Sequence, residues 1–278
     1  MESNQKTQLP ATNFDPKCQF GTSHVQQISN LIGSDACRRL SIFALPEGFR
    51  LTVLVPVYNE CGTVANVLDR LRATGLPLQI ILIDDGSNDG SSEVLEACSQ
   101  GEDIQLLRHA HNRGKGAAIR TGIEAAEGDV IVIQDADSEY DPDDLRGLLQ
   151  PLIEETADVV YGTRYGHCDR QLSPWWHQAV NSLITWLASV AIGPRLSDVE
   201  TCYKMARTKH FQSVLPDLRE DRFGIEIELT ARFARLGLRF TERPIRYQHR
   251  WYDEGKKITW KDGVAALFCI AKYGLFRR

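Results

Sequence analysis

The sequence "IVIQDADSEYDPDD", residues 131 to 144, joins an apolar run directly to a cluster of acidic residues. Ile131, Val132 and Ile133 are β-branched and apolar, which is typical of a strand buried on both faces. Carboxylates follow at positions 135, 137, 139, 141, 143 and 144. Ligands of open parallel sheets bind beyond the carboxyl ends of the strands. The stretch therefore predicts a buried strand that ends in a binding site.

Three other apolar runs precede this one, and helical patterns separate them. The runs are "RLTVLVPVY" (50–58), "LQIILIDDG" (78–86) and "IQLLRH" (104–109), and the helical patterns cover 63–73, 91–99 and 115–126. This alternation predicts βαβ units in an open, mostly parallel α/β sheet flanked by helices. We expect a short helix at about 23–32, a further helix and strand within 141–162, a helix at 225–237 and a short strand within 238–250.

The composition excludes some classes of protein. The chain has 278 residues, 42% of them hydrophobic, and a net charge of −5. This charge argues against a nucleic-acid binder held by phosphate attraction. The seven cysteines are scattered without metal-binding spacing, which fits a reducing cytoplasm. The polar start, MESNQKTQLP, predicts no signal peptide.

No run of about 18 uncharged apolar residues is present, so we expect no transmembrane helix. The longest approach to one is "AVNSLITWLASVAIG", residues 179 to 193. Two interpretations of this segment stay open. It is a buried core helix, or it lies in a membrane interface.

Asp135 and Asp137 stand two residues apart just after the apolar run. Such a pair can converge on one Mg²⁺ ion, which takes one or two carboxylates and completes its coordination with water and substrate phosphates. The alternative is a solvated acidic turn. That interpretation suits Asp141, Asp143 and Asp144, which open the next predicted helix.

Four motifs occur in order along the first half of the chain: PVYNE (56–60), IDDGSNDGS (83–91), HNRGKGAA (111–118) and QDADSE (134–139). In this order and spacing the chain resembles glycosyltransferase family 2, which has the Rossmann-like GT-A fold. The later segments "DVVYGTRY", "SDVETCYKM" and "RWYDEGKKI" are similar to the branch that contains the dolichol-phosphate mannose and glucose synthases. The resemblance covers about residues 51–262.

The resemblance implies a metal-dependent, inverting transfer of a sugar from a UDP- or GDP-sugar to a polyprenyl phosphate, with Mg²⁺ or Mn²⁺ as cofactor. Asp135 and Asp137 match the metal motif, and Asp137 is also predicted to be catalytic. The donor-binding positions carried over are Pro56, Tyr58, Glu60, Ile83, Asp85, Asp135, Ala136 and Glu139. Glu139 stands where the mannose synthases carry Gln, which leaves the sugar open or adds a third possible acid near the metal. Arg164, Arg250 and Lys256 match phosphate-contacting positions, and Arg164 is also predicted to be catalytic.

Lys115 lies in a loop that resembles a phosphate-binding loop but lacks the Walker pattern. Lys115 could reach the donor or the sheet edge. Gly114 and Gly116 let backbone approach closely, or they simply cap a helix, and both interpretations stay open.

A hydroxyl acceptor needs a general base, whereas a polyprenyl phosphate arrives already ionised. The candidate bases are Glu220, Asp221, Glu226 and Glu228. Among them we predict Glu226. A transferase acting on a soluble or glycan hydroxyl therefore remains the alternative. A silent nucleotide-sugar binder would lack the metal carboxylates, and a nucleotidyltransferase would need a Gly-rich, basic loop after the first strand.

We expect an N-terminal extension at 1–48, a GT-A domain at 49–262 and an amphipathic C-terminal segment at 263–278. Two segments could meet a bilayer reversibly, namely 174–193 with Trp175, Trp176 and Trp186, and 264–278 with Arg277 and Arg278. The predicted location is the cytoplasm, at the membrane surface if the acceptor is a lipid. The rival prediction is that both segments pack on the sheet.

Overall fold

The computed structural model describes residues 21–101, 103–165, 175–250 and 260–275. The chain divides into two compact units, Met1–Pro46 and Glu47–Arg278. In the first unit, helix α1 spans Thr22–Ile32 and helix α2 spans Ser34–Arg39. Helix α1 lies where the sequence predicts a short helix.

In the second unit, seven strands of the described residues form one sheet. They are β1 (Leu51–Val57), β2 (Leu78–Asp84), β3 (Ile104–Arg108), β4 (Val130–Ile133), β5 (Val159–Thr163), β6 (Lys204–Arg207) and β7 (Phe240–Pro244). The strand order is β3-β2-β1-β4-β6-β5-β7. Neighbours pair in parallel except β6, which is antiparallel to both β4 and β5. The prediction of an open, mostly parallel α/β sheet is confirmed.

The sheet reverses its direction of growth at β1. From β1 the chain adds β2 and then β3 on one side, and it returns to place β4 on the other side. Leu54 on β1 pairs with Ile133, the last residue of β4. A crevice opens at such a switch point, beyond the carboxyl ends of the two strands. The motifs PVYNE and QDADSE both leave the sheet there.

Helices cover the sheet. They are α3 (Val64–Ala73), α4 (Ser91–Cys98), α5 (Lys115–Glu124), α6 (Leu145–Ile153), α7 (Trp175–Ile192), α8 (Thr208–Val214), α9 (Ile225–Arg235) and α10 (Trp260–Ile270). Short 3₁₀ turns span Pro142–Asp144 and Leu215–Asp217, and a π-helical turn spans Ala271–Leu275. The central strands β1, β2 and β4 are almost wholly buried. Their β-branched side chains form the core that fixes the position of the switch point.

Helices α7, α9 and α10 join through a second apolar cluster. Its buried members include Ile184 and Ala188 on α7, Ile227 on α9, and Ala266 and Ile270 on α10. The other faces of α7 and α10 are exposed, which we call the α7/α10 apolar face: Val180, Leu183, Trp186, Val190, Val264, Leu267 and Phe268. Segment 179–193 is thus a core helix on one side and an exposed apolar surface on the other. Within the described ranges, no helix has the length and apolar character needed to span a bilayer.

Gly114 and Gly116 allow two backbone segments to approach closely. Gly114 has a φ of +100°, and a Cβ on Gly116 would overlap the carbonyl oxygen of Glu220. The amide of Ala117 donates to the carbonyl of Asp221 at 3.1 Å. The start of α5 is therefore fixed against the segment that leads into α9.

Gly116→Ala should destabilise the protein by about 1–3 kcal/mol, because the added methyl group meets backbone that cannot rotate away. Gly62→Ala is the matched control, since a Cβ at Gly62 meets nothing within 4 Å. Urea unfolding of both variants measures the difference. Equal stability of the two variants would show that the close approach of α5 is not a constraint.

Candidate active site

The turn after β1 is held by the motif that follows β2. Asn59 has a left-handed backbone with φ of 52°, and its backbone N–H donates to Ser87 Oγ at 3.0 Å. In return, Asn88 N donates to Asn59 Oδ1 at 2.9 Å. Pro56 and Tyr58 are half-buried, whereas Glu60 is buried. The first two motifs thus form one rigid rim of the crevice.

The two aspartates after β2 both organise loops. Asp85 accepts hydrogen bonds from Arg113 N at 2.9 Å and Gly114 N at 2.7 Å, and its Oδ1 lies 2.5 Å from His109 Nδ1. Asp84 accepts from Ser87 N at 3.0 Å and so holds the turn after β2. Asp85 therefore joins the HNRGKGAA segment to the end of β2. Its predicted contact with the nucleotide stays a prediction.

Ile83 and Ala136 are buried beside these acids. The Ile83 side chain has no exposed surface and packs near Gly122 of α5. Any donor contact of Ile83 would therefore have to come from its backbone.

The acidic turn after β4 carries the predicted metal ligands. Ser138 has a φ of 62°, and Glu139 N donates to Asp137 Oδ1 at 3.1 Å. Lys115 Nζ lies 2.7 Å from Asp135 Oδ1. Asp141 accepts from Asp143 N at 3.0 Å and so caps the turn that opens α6. The later acids thus start a helix, whereas Asp135 and Asp137 lie before it.

The carboxylates at this turn repel one another. Burial raises the pKa of Asp137 to about 8, and the carboxylates of Asp135, Glu139 and Glu60 add to the rise. Within the described ranges, no three His, Cys, Asp or Glu side chains are grouped so that they could hold a metal. A hard cation needs only one or two carboxylates when phosphates and water complete its shell. Asp135 and Asp137 therefore fit a divalent cation that binds together with a diphosphate.

Glu139 and Glu60 hold the segment that leads into the basic loop. Tyr247 OH donates to Glu139 Oε2 at 2.7 Å, and Arg250 N donates to Glu139 Oε1 at 2.9 Å. Arg250 Nη1 forms an ion pair with Glu60 Oε2 at 2.8 Å. The structure thus brings Arg250 to the acidic rim. Lys256 lies outside the described residues.

Arg164 is fixed in a bidentate ion pair. Its Nε and Nη2 lie 2.6 Å and 2.7 Å from the two carboxylate oxygens of Asp198. Asn181 Nδ2 also donates to Asp198 Oδ1 at 3.1 Å, and the Arg164 guanidinium stacks 5.3 Å from the Tyr247 ring centre. The arginine and hydrogen-bond donors hold the pKa of Asp198 below its usual value despite burial, which alone would raise it. Arg164 is thus rigidly placed beside the Tyr247 segment.

The four candidate bases all have partners. Glu226 is buried between Lys115, 2.9 Å away, and Lys204, 2.8 Å away. Glu228 accepts from Arg219 N and Glu220 N at 2.8 Å and 2.7 Å. The remaining two pairs are Glu220 with Lys272 and Asp221 with Arg120. A base must reach the acceptor, and Glu226 is only 2% exposed, so its placement argues against the predicted role as a base.

Sequence reasoning missed four polar residues of this region. Three of them are partners of predicted residues, namely Lys204, Asp198 and Tyr247. The fourth, Glu200, lies between Asp198 and Lys204 in the chain. Among the described residues, Glu200 Oε1 is buried without a hydrogen-bond partner. A lysine at the start of the apolar run "KMA" was the available signal for Lys204. Strand β6 is only four residues long and charged at both ends, so the pattern did not indicate it.

Comparison with known proteins supplies the context of this site. An undecaprenyl-phosphate mannosyltransferase of Micrococcus luteus is 29% identical over 239 residues, covering 82% of this chain and 96% of that protein. An undecaprenyl-phosphate 4-deoxy-4-formamido-L-arabinose transferase of Aeromonas hydrophila is 31% identical over 212 residues, covering 74% of this chain and 62% of that protein.

Solved structures share the architecture. Glucosyl-3-phosphoglycerate synthase from Mycobacterium tuberculosis, crystallised with Mn²⁺, UDP and glucosyl-3-phosphoglycerate, superposes with a TM-score of 0.65 at 19% identity, covering 84% of this chain and 82% of that one. The fold is therefore GT-A, as the resemblance implied. Residues 52–215 match the sequence pattern of "Glycosyl transferase family 2". Because this match takes in more than half of the chain, the protein belongs to glycosyl transferase family 2 and is a glycosyltransferase.

Proposed function

We propose that the protein is a metal-dependent, inverting glycosyltransferase that moves a sugar from a UDP- or GDP-sugar to a polyprenyl phosphate. The observation that carries the proposal is the pair Asp135 and Asp137 at the switch point between β1 and β4, together with Arg250, which forms an ion pair with Glu60 after β1. The relatives from Micrococcus luteus and Aeromonas hydrophila carry undecaprenyl phosphate in their names. This supports the same acceptor class here.

Asp135 and Asp137 would hold Mg²⁺ or Mn²⁺, which would neutralise charge on the donor diphosphate and on the departing nucleotide. The rim residues Pro56, Tyr58 and Glu60 would bind the nucleotide, with Ile83 and Asp85 behind them. Ala136, Glu139 and Lys115 complete the donor side. We assign the phosphates to Arg164, Arg250 and Lys256, since positive side chains stabilise charge that develops in the transition state.

Arg250 would change partner when the donor binds. Its guanidinium lies against the Glu60 carboxylate at 2.8 Å, while its backbone amide is held by Glu139 at 2.9 Å. The backbone contact keeps Arg250 at the rim. The side chain can then leave Glu60 for the diphosphate, whose oxygens together accept bidentate hydrogen bonds from arginine. Glu60 is released by the same exchange to accept from donor hydroxyl groups.

The acceptor assignment rests on the state of the candidate bases. Glu220, Asp221, Glu226 and Glu228 are all bound to cations or backbone amides in the structure. A polyprenyl phosphate needs no base, because its second pKa is near 6 and it is largely ionised at neutral pH. Inversion follows if this phosphate attacks the sugar from the face opposite the departing nucleotide.

A lipid acceptor requires contact with the bilayer, and the α7/α10 apolar face offers it. Trp186 is 61% exposed and Phe268 is 67% exposed. Tryptophan favours the headgroup layer, and an apolar helix face can lie in the interface without spanning it. We therefore place the working enzyme at the cytoplasmic face of a membrane, bound reversibly.

Asp137→Asn should lower sugar transfer by about 10²-fold or more, because one of two carboxylates for the cation is lost. The metal-free variant should be at least as stable as wild type. A raised carboxyl pKa means that ionised Asp137 destabilises the fold as pH rises from its unfolded value of about 4 toward 8. Donor turnover with Mg²⁺ or Mn²⁺ and thermal unfolding at pH 8 test both points.

Asp143→Asn is the matched control for this variant, since Asp143 lies in the same acidic segment but is mostly exposed. It should keep full activity. Full activity of Asp137→Asn, or equal losses in the two variants, would contradict the metal assignment.

Trp186→Glu combined with Phe268→Glu should abolish sedimentation with anionic liposomes at low salt and reduce transfer to long-chain polyprenyl phosphate. Transfer to a short, water-dispersed polyprenyl phosphate should be unchanged. Leu236→Glu is the control, because Leu236 is also exposed, at 48%, but lies outside α7 and α10. If wild type stays in the supernatant and transfers no sugar to either acceptor, the lipid acceptor is wrong.

One observation favours the alternative acceptor, a soluble or glycan hydroxyl. Burial raises the pKa of Glu200 to about 7, although Lys204 opposes the rise. Glu200 Oε1 is buried without a hydrogen-bond partner among the described residues, but the residue as a whole is only half-buried, unlike Glu226. A carboxylate with a pKa near the working pH is suited to accept a proton from a hydroxyl.

Glu200→Gln separates the two acceptor classes. With a hydroxyl acceptor, the rate should rise with pH through about 7 in wild type, and the variant should lose about 10²-fold or more. With a phosphate acceptor, the variant should stay within tenfold of wild type, as should Glu155→Gln, whose side chain is 80% exposed. The pH dependence of turnover for each acceptor decides between them.

A further inference from the structure

Four charged side chains of alternating sign run from the metal turn into the core. Asp135 Oδ1 lies 2.7 Å from Lys115 Nζ, and Lys115 Nζ lies 2.9 Å from Glu226 Oε1. Glu226 Oε2 lies 2.8 Å from Lys204 Nζ. We call these four residues the ion-pair network. Only its first member belongs to the predicted metal site, and the other end is buried in the protein.

Lys204 is a fixed charge. It has no exposed surface, and its ammonium group donates to the carbonyls of Val199 at 2.8 Å and Thr201 at 2.6 Å in addition to the pair with Glu226. Two of its three protons are thus used by backbone carbonyls, and the contact with Glu226 is an ion pair. The Tyr161 ring lies 4.6 Å from Nζ and adds a cation–π contact. Lys204 therefore cannot move toward water, and its charge acts on Glu226.

Glu226 is also buried. It lies in the first turn of α9, where a carboxylate is favoured by the helix dipole. Its backbone carbonyl accepts from Thr230 Oγ1 at 2.8 Å, and Thr230 Oγ1 is 2.8 Å from Tyr161 OH. Since Lys204 is held by two backbone carbonyls and Glu226 lies on α9, we take Lys115 as the member of the ion-pair network that can shift between partners. It lies between two acceptors, Asp135 and Glu226.

We propose that Glu226 and Lys204 are positioning residues that set the divalent-cation affinity of Asp135 by controlling how strongly Lys115 is held against it. The proposal rests on the proposed function, since it concerns the same cation. Lys115 and the divalent cation compete for the Asp135 carboxylate. Asp135 and Glu226 in turn compete for the Lys115 ammonium group. Lys204 and Lys115 compete for the Glu226 carboxylate. Each competition acts at ion-pair distance in a buried region, where charges are poorly screened.

The competition determines whether each substitution weakens or strengthens cation binding at Asp135. Glu226→Gln removes the carboxylate that draws Lys115 away from Asp135, and it leaves the ion-pair network with a net positive charge. Both effects weaken cation binding at Asp135. Lys204→Met removes the other cation bound to Glu226, so that Glu226 binds Lys115 more strongly. It also gives the ion-pair network a net negative charge. Both effects strengthen cation binding. A residue that only supports packing would weaken binding in both variants.

The experiment measures Mn²⁺ affinity in the presence of UDP or GDP, whichever wild type binds, together with nucleotide affinity without metal. Glu226→Gln should weaken Mn²⁺ binding by on the order of tenfold, with metal-free nucleotide binding within threefold of wild type. Lys204→Met should strengthen it. The double variant restores a neutral ion-pair network but also lacks Glu226 as a competitor for Lys115, so its Mn²⁺ affinity should lie between those of the two single variants. Glu228→Gln is the control, a buried carboxylate two residues along α9 that is bound to backbone amides.

Unchanged or tighter Mn²⁺ binding in Glu226→Gln would overturn the inference, as would an equal loss in Glu228→Gln. If Lys204→Met does not fold, Glu226→Gln and its control still decide. A wild-type protein whose nucleotide affinity does not respond to Mn²⁺ would instead refute the metal-dependent function itself. The two failures are therefore distinguishable.

Discussion

The concentration of negative charge at the end of β4 is the constraint on which the rest of the site depends. Asp135 and Asp137 leave the sheet in a partly buried crevice where Glu60 and Glu139 are also close enough to raise the pKa of Asp137. Carboxylates in such a place must be balanced by cations or take up protons. The chain supplies Lys115 for Asp135 and Arg250 for Glu60. These contacts determine where α5 and the segment after β7 must lie.

The two sides of the sheet contribute differently to this balance. The parallel strands β3, β2, β1 and β4 carry the acidic rim and its supporting loops. Strands β6, β5 and β7 bring most of the compensating residues, namely Lys204, Arg164 and the segment that ends in Arg250. The site is therefore completed by elements that are distant in sequence from the acids they balance.

This division explains which parts of the structure sequence reasoning could predict. The strands β1 to β4 and their helices were predictable because each has a buried, regular pattern, and the observed bounds lie close to the expected ones: Val64–Ala73 for 63–73 and Lys115–Glu124 for 115–126. The acids at the strand ends were found for the same reason. The ion pairs were not predictable, since Glu226 meets Lys204 only through the antiparallel placement of β6. A helical pattern alone could not tell whether Glu226 faces the crevice or the core.

The antiparallel strand β6 also has a consequence for the order in which the protein folds. Strand β5 pairs only with β6 and β7 within the described sheet, so it has no neighbour until residues 204–207 have been synthesised. During translation β1 to β4 can pair as they emerge, while β5 waits with unpaired edges. Long-range pairing of this kind is slow and exposes strand edges to aggregation. Because β6 begins at Lys204, the same late step brings in the buried lysine of the ion-pair network, and Glu226 has this partner only once β6 has joined the sheet.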